Sequence, residues 1–215
     1  MYQPRQFEET RVEVMHDLIR AHPLATLVTL SPSGIEANHV PLHLRVDGSG
    51  SGTLVGHVAR ANPVWRDFDP AVEALAVFQG PEAYVTPSWY PTKAETGKAV
   101  PTWNYAVVHA HGPMRVIEDR DWLRAQIDEL TAGQESAFPV PWSTADAPGG
   151  FIDALLRAIV GIEIPIARLA GKWKVSQNQP ARNHHGVVAG LSALGTADAA
   201  EMAGLVAARG EPEAG

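Results

Sequence analysis

The chain has no cysteine. That removes disulfides, thiolate metal sites and cysteine nucleophiles together. It also has no apolar run of about 18 residues, so no membrane-spanning helix is expected. The opening residues, MYQPRQFEETR, hold no apolar stretch of the kind a secretory signal requires. A cytoplasmic location is the expectation. Positive charge is in short supply, with 17 Lys and Arg against 24 Asp and Glu and a net charge of -7. This argues against a broad nonspecific nucleic-acid footprint, which needs a basic face. No GxGxxG follows a strand-like run, and no GxxxxGK is followed by Ser or Thr, so neither a Rossmann nor a P-loop nucleotide site is expected. The absence of GxSxG removes the main support for a serine hydrolase.

What is present is a chain of 215 residues, 45% hydrophobic and 19% charged, enough for one large domain or two small ones with a real core. A helix is expected over 7–21, with Val12, Met15, Leu18 and Ile19 near one face and Pro23 ending it. Leu24 to Leu30 reads as a short strand closed by the turn Ser31-Pro32-Ser33-Gly34. From Ile35 to Val46 apolar and polar residues alternate, as in a half-buried hairpin partner. Asp47 to Gly52 is a flexible turn, and Thr53 to Val58 a third strand. A short helix broken at Pro63 follows, then a central strand over 71–78, with 83–86 as a segment able to pair with it. Residues 87–102 read as a long loop, a length that favours function over plain connection. A long strand is expected over 103–117.

The pattern changes at Glu118. Asp119 or Asp121 can cap a helix running to about Leu130, and a Pro/Gly/Ser-rich connector leads to a second helix over 150–160. One strand region over 163–176 and a short helix over 187–194 complete the patterned part. The expected division is a domain over 1–194, with helical additions after about 118, and a weakly ordered Ala/Gly/Glu-rich tail over 195–215. The fold class expected from these elements is α+β, a mainly antiparallel β-barrel with peripheral helices.

Five of the fifteen aromatic residues, Tyr84, Trp89, Tyr90, Trp103 and Tyr105, fall within 22 residues, interleaved with Pro, Ser, Thr and Asn. That mixture suits a wall for a flat ligand with polar edges, or equally a long loop pinned by aromatic anchors. Residues 163–186 carry Arg168, Lys172, Lys174 and Arg182 against only Glu163, a solvated surface or a phosphate subsite. His109 and His111 share one strand face, as do His39 and His43, but no spacing forces three metal ligands together, and no metal is expected.

Four short segments carry the chemistry. GHVARANP (56–63), followed by Trp65, offers His57, Arg60 and the backbone of a turn, either to a phosphate or as an Asn-Pro turn with a surface Arg. PSWY (87–90), VPTWNY (100–105) and GKWKVSQN (171–178) alternate rings, hydroxyls, amides and cations. Together with MYQPRQF, VFQGPEAYVTPSWY and the 182–191 stretch, these segments resemble the PaiB-type FMN-binding negative transcriptional regulators. The resemblance covers about residues 1–192, with the segments in the family's order; one alone is common, four in order are specific. It implies a split β-barrel of the flavin-binding type, non-covalent FMN and a homodimer with the flavin near the subunit interface. It places His57, Arg60 and Asn62 near the FMN phosphate or ribityl chain. Ser88, Trp89 and Tyr90 match one motif, Thr102, Trp103, Asn104 and Tyr105 the next, and Lys172, Trp173, Ser176, Gln177 and Asn178 the last.

The residues agree chemically. Arg60 and Lys172 suit a dianionic phosphate, Ser88, Thr102 and Asn104 the polar edge of a ring system, and Trp89, Trp103 or Tyr105 a ring face. No catalytic residue is assigned, because a flavin carries its own redox chemistry. Three functions follow: a flavin-binding regulator acting on DNA directly or indirectly, a flavin-dependent oxidoreductase, or a non-catalytic flavin carrier or sensor. No helix-turn-helix pattern or basic recognition helix is present, so DNA is a weakly supported partner.

Overall fold

A computed structural model describes residues 1–46, 48 and 50–209. Two residues of the expected 47–52 turn and the end of the expected tail therefore lie outside the described residues. Nine strands are hydrogen-bonded in the order β1-β9-β6-β5-β2-β3-β4-β8-β7. They are β1 (Glu8–Glu9), β2 (Leu24–Ser31), β3 (Gly34–Arg45), β4 (Thr53–Ala59), β5 (Ala74–Val85), β6 (Thr102–Gly112), β7 (Arg115–Ile117), β8 (Ile159–Pro165) and β9 (Arg168–Lys174). The helices are α1 (Val12–Ala21), α2 (Val64–Asp67), α3 (Thr92–Thr96), α4 (Arg120–Glu135), α5 (Phe151–Leu156), α6 (Ala181–Ala193) and α7 (Ala197–Ala208). The class is the expected α+β split barrel with an antiparallel sheet. The chain divides into two compact units: unit 1 is Met1–Leu18, Gln79–Val108 and Ala170–Gly215, and unit 2 is Ile19–Phe78 and His109–Leu169.

Unit 2 is organised by local pairing. The β2–β3 hairpin runs in register from Leu24 opposite Pro41 to Ser31 opposite Gly34. Its turn is held by the Ser31 hydroxyl, which accepts from the Ser33 amide, while Gly34 takes a φ of 122° that a side chain would resist. Alternation puts Ala25 and Leu27 of β2 and Val40 and Leu42 of β3 in the core. β4 pairs antiparallel with β8 over seven residues, and Leu54, Val55, Val160, Ile162 and Ile164 are fully buried. Asp119 caps α4 by accepting from the Trp122 amide at 2.7 Å. Below that helix, Leu123, Ile152 and Leu156 form a small core with Trp122, Ile127 and Ile159 against it.

Unit 1 is organised by long-range contacts. β1 pairs with β9, Glu8 opposite Lys172 and Glu9 opposite Gly171. This pairing keeps 8–9 extended, so α1 starts at Val12 and not at Phe7, where the apolar spacing put it. Glu9 is buried and accepts from the Arg11 amide and guanidinium and from the Arg209 guanidinium. Arg209 also lies 5.5 Å from the centre of the buried Trp173 ring. α6 and α7 bury Val187, Leu191, Met202 and Val206.

Other boundaries differ from expectation. Residues 74–85 form one strand, so the 83–86 segment continues it and does not pair with it. The long strand over 103–117 is two strands, β6 and β7. The region over 163–176 is likewise β8 and β9. The loop over 87–102 holds a 3-10 turn at Pro87–Trp89 and the short α3. The tail expected to be weakly ordered forms α7, capped by the Thr196 hydroxyl accepting from the Ala199 amide.

Candidate functional site

Three of the four motif segments come together in unit 1. PSWY begins a 3-10 turn, with the Thr86 hydroxyl accepting from the Ser88 amide. Ser88 faces solvent, Tyr90 is buried, and burial pushes its hydroxyl pKa up. Trp89 is half-buried against α6, where two glycines make room for it. A Cβ on Gly186 would lie 1.9 Å from the Trp89 carbonyl oxygen, and one on Gly190 2.3 Å from its ring.

TWNY starts β6, and KWKVSQN ends β9 and turns away. Lys174 donates from Nζ to the Thr102 hydroxyl and the Trp103 carbonyl. The fully buried Asn104 donates from Nδ2 to Ser176 Oγ at 2.9 Å. Ser176 is itself buried and holds a φ of 67°, a left-handed conformation unusual for a residue with a side chain. Gln177 is spent on its own turn: its Oε1 accepts from the Val175 amide at 2.8 Å, and its Nε2 donates to the Trp173 carbonyl. Asn178 is exposed. The Lys172 ammonium lies 5.2 Å from the centre of the Tyr105 ring and 5.8 Å from that of Tyr2, a cation over two aromatic faces. Burial, and next the Lys172 charge, lower the Lys174 ammonium from its ordinary value.

Ser176→Ala is expected to destabilise the protein by about 1–3 kcal/mol, because Asn104 Nδ2 then has a buried N–H with no acceptor. Urea denaturation of the variant checks this; an unchanged midpoint would show that the Asn104–Ser176 pair holds nothing together.

Two concavities flank these residues in unit 1. One, of about 480 Å³, is lined by Tyr84, Trp89 and Trp103 together with Glu82 and Asp198. Its Tyr84 and Trp103 rings meet edge to face, centroids 5.9 Å apart at 69°. The other, of about 140 Å³, is lined by Tyr90, Thr102, Asn104, Lys174, Ser176, Asn178 and Gln179, with Val100 at its edge.

The fourth segment lies in unit 2 and is bonded within it. His57 Nδ1 and Gln126 Oε1 are 2.8 Å apart, and Gln126 is fully buried. Arg60 donates from Nη1 to Glu118 at 2.6 Å, from Nε to the Arg157 carbonyl at 3.1 Å and from Nη2 to the Ile159 carbonyl at 3.2 Å. Asn62 donates to Asn38 and accepts from the Val64 amide, making the Asn-Pro turn that starts α2. Of the basic cluster, Arg182 is paired with Glu95. Lys174 is expected in that cluster and in the GKWKVSQN segment, but not among the cofactor-binding residues. The missed signal was its spacing, two residues from Lys172 on a strand and therefore on the same face. Burial lowers the His109 and His111 pKa values, and no three His, Asp or Glu side chains converge among the described residues.

This antiparallel α+β fold, with rings, hydroxyls and lysines gathered on β6 and β9, defines a flavin-binding protein of the split-barrel class. The chain belongs to the FMN-binding domain family FMN_bind_2, whose model matches residues 1–168, and its cofactor is FMN. A protein of Emericella nidulans is 36% identical over 98% of both chains. The Bacillus subtilis protease synthase and sporulation protein PAI 2 is 30% identical over 96% of both, which bears out the PaiB-type resemblance. Solved structures share the fold at low identity. The FAD and heme binding protein from Mycobacterium smegmatis has a TM-score of 0.57 at 20% identity, covering 78% of this chain and 73% of that one. A flavocytochrome from Azotobacter vinelandii has a TM-score of 0.58 at 11% identity, covering 80% and 72%.

Proposed function

We propose that this chain is an FMN-binding regulatory protein that lowers transcription, directly or through another protein, as a cytoplasmic homodimer with the flavin near the subunit interface. The observation that carries the reading is the end-to-end similarity to the Bacillus sporulation-linked relative, joined to the FMN-binding family match. The residues suit FMN. Tyr84, Trp89, Trp103 and Tyr105 offer ring faces, Ser88, Tyr90, Thr102, Asn104 and Asn178 polar groups, and Lys172 a cation next to the buried Trp173, while Gln177 shapes the turn that carries Asn178. His57, Arg60 and Asn62 are proposed to face the ribityl and phosphate side of the cofactor in the homodimer. When bound, the flavin supplies the redox chemistry; the chain supplies the wall and the charge.

The purified protein is expected to carry visible flavin absorbance or to take up added FMN, and a colourless protein that takes up none would sink the reading. Lys172→Ala is expected to weaken FMN binding about tenfold, the loss of one charged contact of about 1.5 kcal/mol. Titration of flavin fluorescence checks this against the exposed Lys98→Ala; equal affinities would show that Lys172 does not face the cofactor. Regulation is tested by transcript levels with and without the gene, and direct DNA contact by a gel shift across a salt series, where contact must weaken as salt rises.

A second reading, a flavin-dependent oxidoreductase, is favoured by the fold shared with a flavocytochrome. Faster reduction of the bound flavin than of free FMN by a nicotinamide would support it.

A further inference from the structure

We propose that a cavity of about 510 Å³ in unit 2 is a binding site for a small organic ammonium ion with an apolar body. It lies between the C-terminal half of α4 and the connector that follows. Thr131, Ala132 and Glu135 line one side and Pro141, Trp142 and Ala145 the other. None of these residues belongs to the four motif segments, so the proposal stands apart from the FMN reading. The volume falls within the roughly 300–1,000 Å³ of sites that enclose a small ligand. The connector is pinned where it stands. The Trp142 amide donates to Glu135 Oε2 at 2.9 Å. The buried Thr144 donates from its hydroxyl to Asp128 and accepts from Arg124 Nη2 at 3.0 Å. Asp146 accepts from the Ser143 amide at 2.7 Å and from its hydroxyl at 3.0 Å. These bonds fix both walls before a ligand arrives.

The lining specifies the ligand. Phe138, Val140 and Trp142 are 60%, 87% and 44% exposed, three large apolar side chains within five residues. A patch of this kind marks an interaction site. The Trp142 ring can stack on an apolar body and attract a cation. Among the described residues the lining includes no lysine, arginine or histidine, and its two carboxylates differ. Asp128 is neutralised by Arg124, whose Nε donates to it at 3.1 Å. Glu135 is half-buried and has no cationic partner among the described residues. The Trp142 amide occupies only its Oε2. Oε1 is left to accept from an ammonium, a charge-assisted bond near an aromatic ring. An anion would be repelled by Glu135, and a neutral apolar molecule would leave that oxygen without its bond. The net charge of -7 further draws cations to the chain.

The test titrates the full chain by calorimetry with three probes of nearly one shape: phenethylammonium, phenethyl alcohol and phenylacetate. The ammonium is expected to bind about tenfold more tightly than the alcohol, and the carboxylate not at all. Glu135→Gln keeps an oxygen for the Trp142 amide and removes the charge. It should bring the ammonium down to the affinity of the alcohol and leave the alcohol as it was. Glu13→Gln removes the same charge from an exposed position of α1 and should keep the preference. Ala132→Leu breaks none of these side-chain bonds and fills the cavity. It should weaken the ammonium and the alcohol alike by about tenfold, and it decides the matter if Glu135→Gln fails to fold. Wild type that binds none of the probes, or binds ammonium and alcohol equally, overturns the proposal. So does an ammonium preference that survives Glu135→Gln, which would set the cation elsewhere on the chain. FMN affinity should be equal in wild type and Glu135→Gln; a fall in it would tie Glu135 to the flavin or to the fold at large and overturn the proposal too.

Discussion

Gly186→Ala is expected to lower the stability of this protein by about 3 kcal/mol, although it adds a single methyl group. On helix propensity alone the change would help, since Ala exceeds Gly by about 1 kcal/mol in a helix interior. Position reverses the sign. The new Cβ would lie 1.9 Å from the Trp89 carbonyl oxygen, a backbone atom that cannot rotate away. Trp89 ends the 3-10 turn that Thr86 caps, so relief requires moving that turn or α6 itself. The control is Gly133→Ala in α4, where a Cβ meets nothing within 4 Å and the propensity gain should show. Denaturation midpoints of the two variants decide the matter. A Gly186→Ala protein as stable as Gly133→Ala would mean that Trp89 is not seated against α6.

The second large effect is acid lability centred on Glu9. Burial pushes this carboxyl up, but hydrogen bonds from the Arg11 side chain and amide, and the hydrogen bond and charge of Arg209, outweigh it and hold the pKa at about 2 against an ordinary 4.5. A folded-state pKa below the unfolded one stabilises the fold above the unfolded value and ceases to do so as pH falls through the folded one. Stability should therefore be level in this respect above about pH 5 and decline between 4.5 and about 2. At about 1.4 kcal/mol per pKa unit, the amount at stake is about 3 kcal/mol. Glu9→Gln should be less stable near neutral pH and lose that share of the decline. Urea denaturation at a series of pH values measures both. An acid slope identical in wild type and Glu9→Gln would place the acid-sensitive carboxylate elsewhere.

Much of unit 2 was legible because its signals are local. The alternation after Ile35, the Ser-Pro-Ser-Gly turn and the Asp119 cap each act within a few residues, and each element forms where those signals put it. Unit 1 was harder. The expected short helix over 187–194 covers only part of α6, which runs over Ala181–Ala193; the missed first turns include Gly186, a poor helix former that is accommodated because Trp89 packs against it. The Ala-rich α7 carries little amphipathic pattern, and Met202 and Val206 show a buried face only once α6 is beside it. The extended Glu8–Glu9 depends on β9, far along the chain, and no local signal announces it.

The candidate site divides in the same way. Motif order pointed to rings, hydroxyls and Lys172, and the structure gathers PSWY, TWNY and KWKVSQN into one unit. Motif order could not reveal that Gln177 is consumed by its own turn or that Arg60 is bonded through three nitrogens. Nor could it reveal that Lys174 is bonded to Thr102 and the Trp103 carbonyl.

The pairing of β1 with β9 bears on the order of events during synthesis. Glu8 and Glu9 leave the ribosome more than a hundred and fifty residues before their partners Lys172 and Gly171. The hairpin of unit 2 has every strand it needs long before that. The rings of β6 and the lysines of β9 therefore meet only after β9 has been made. A wall that draws on both strands is complete only once β9 has emerged.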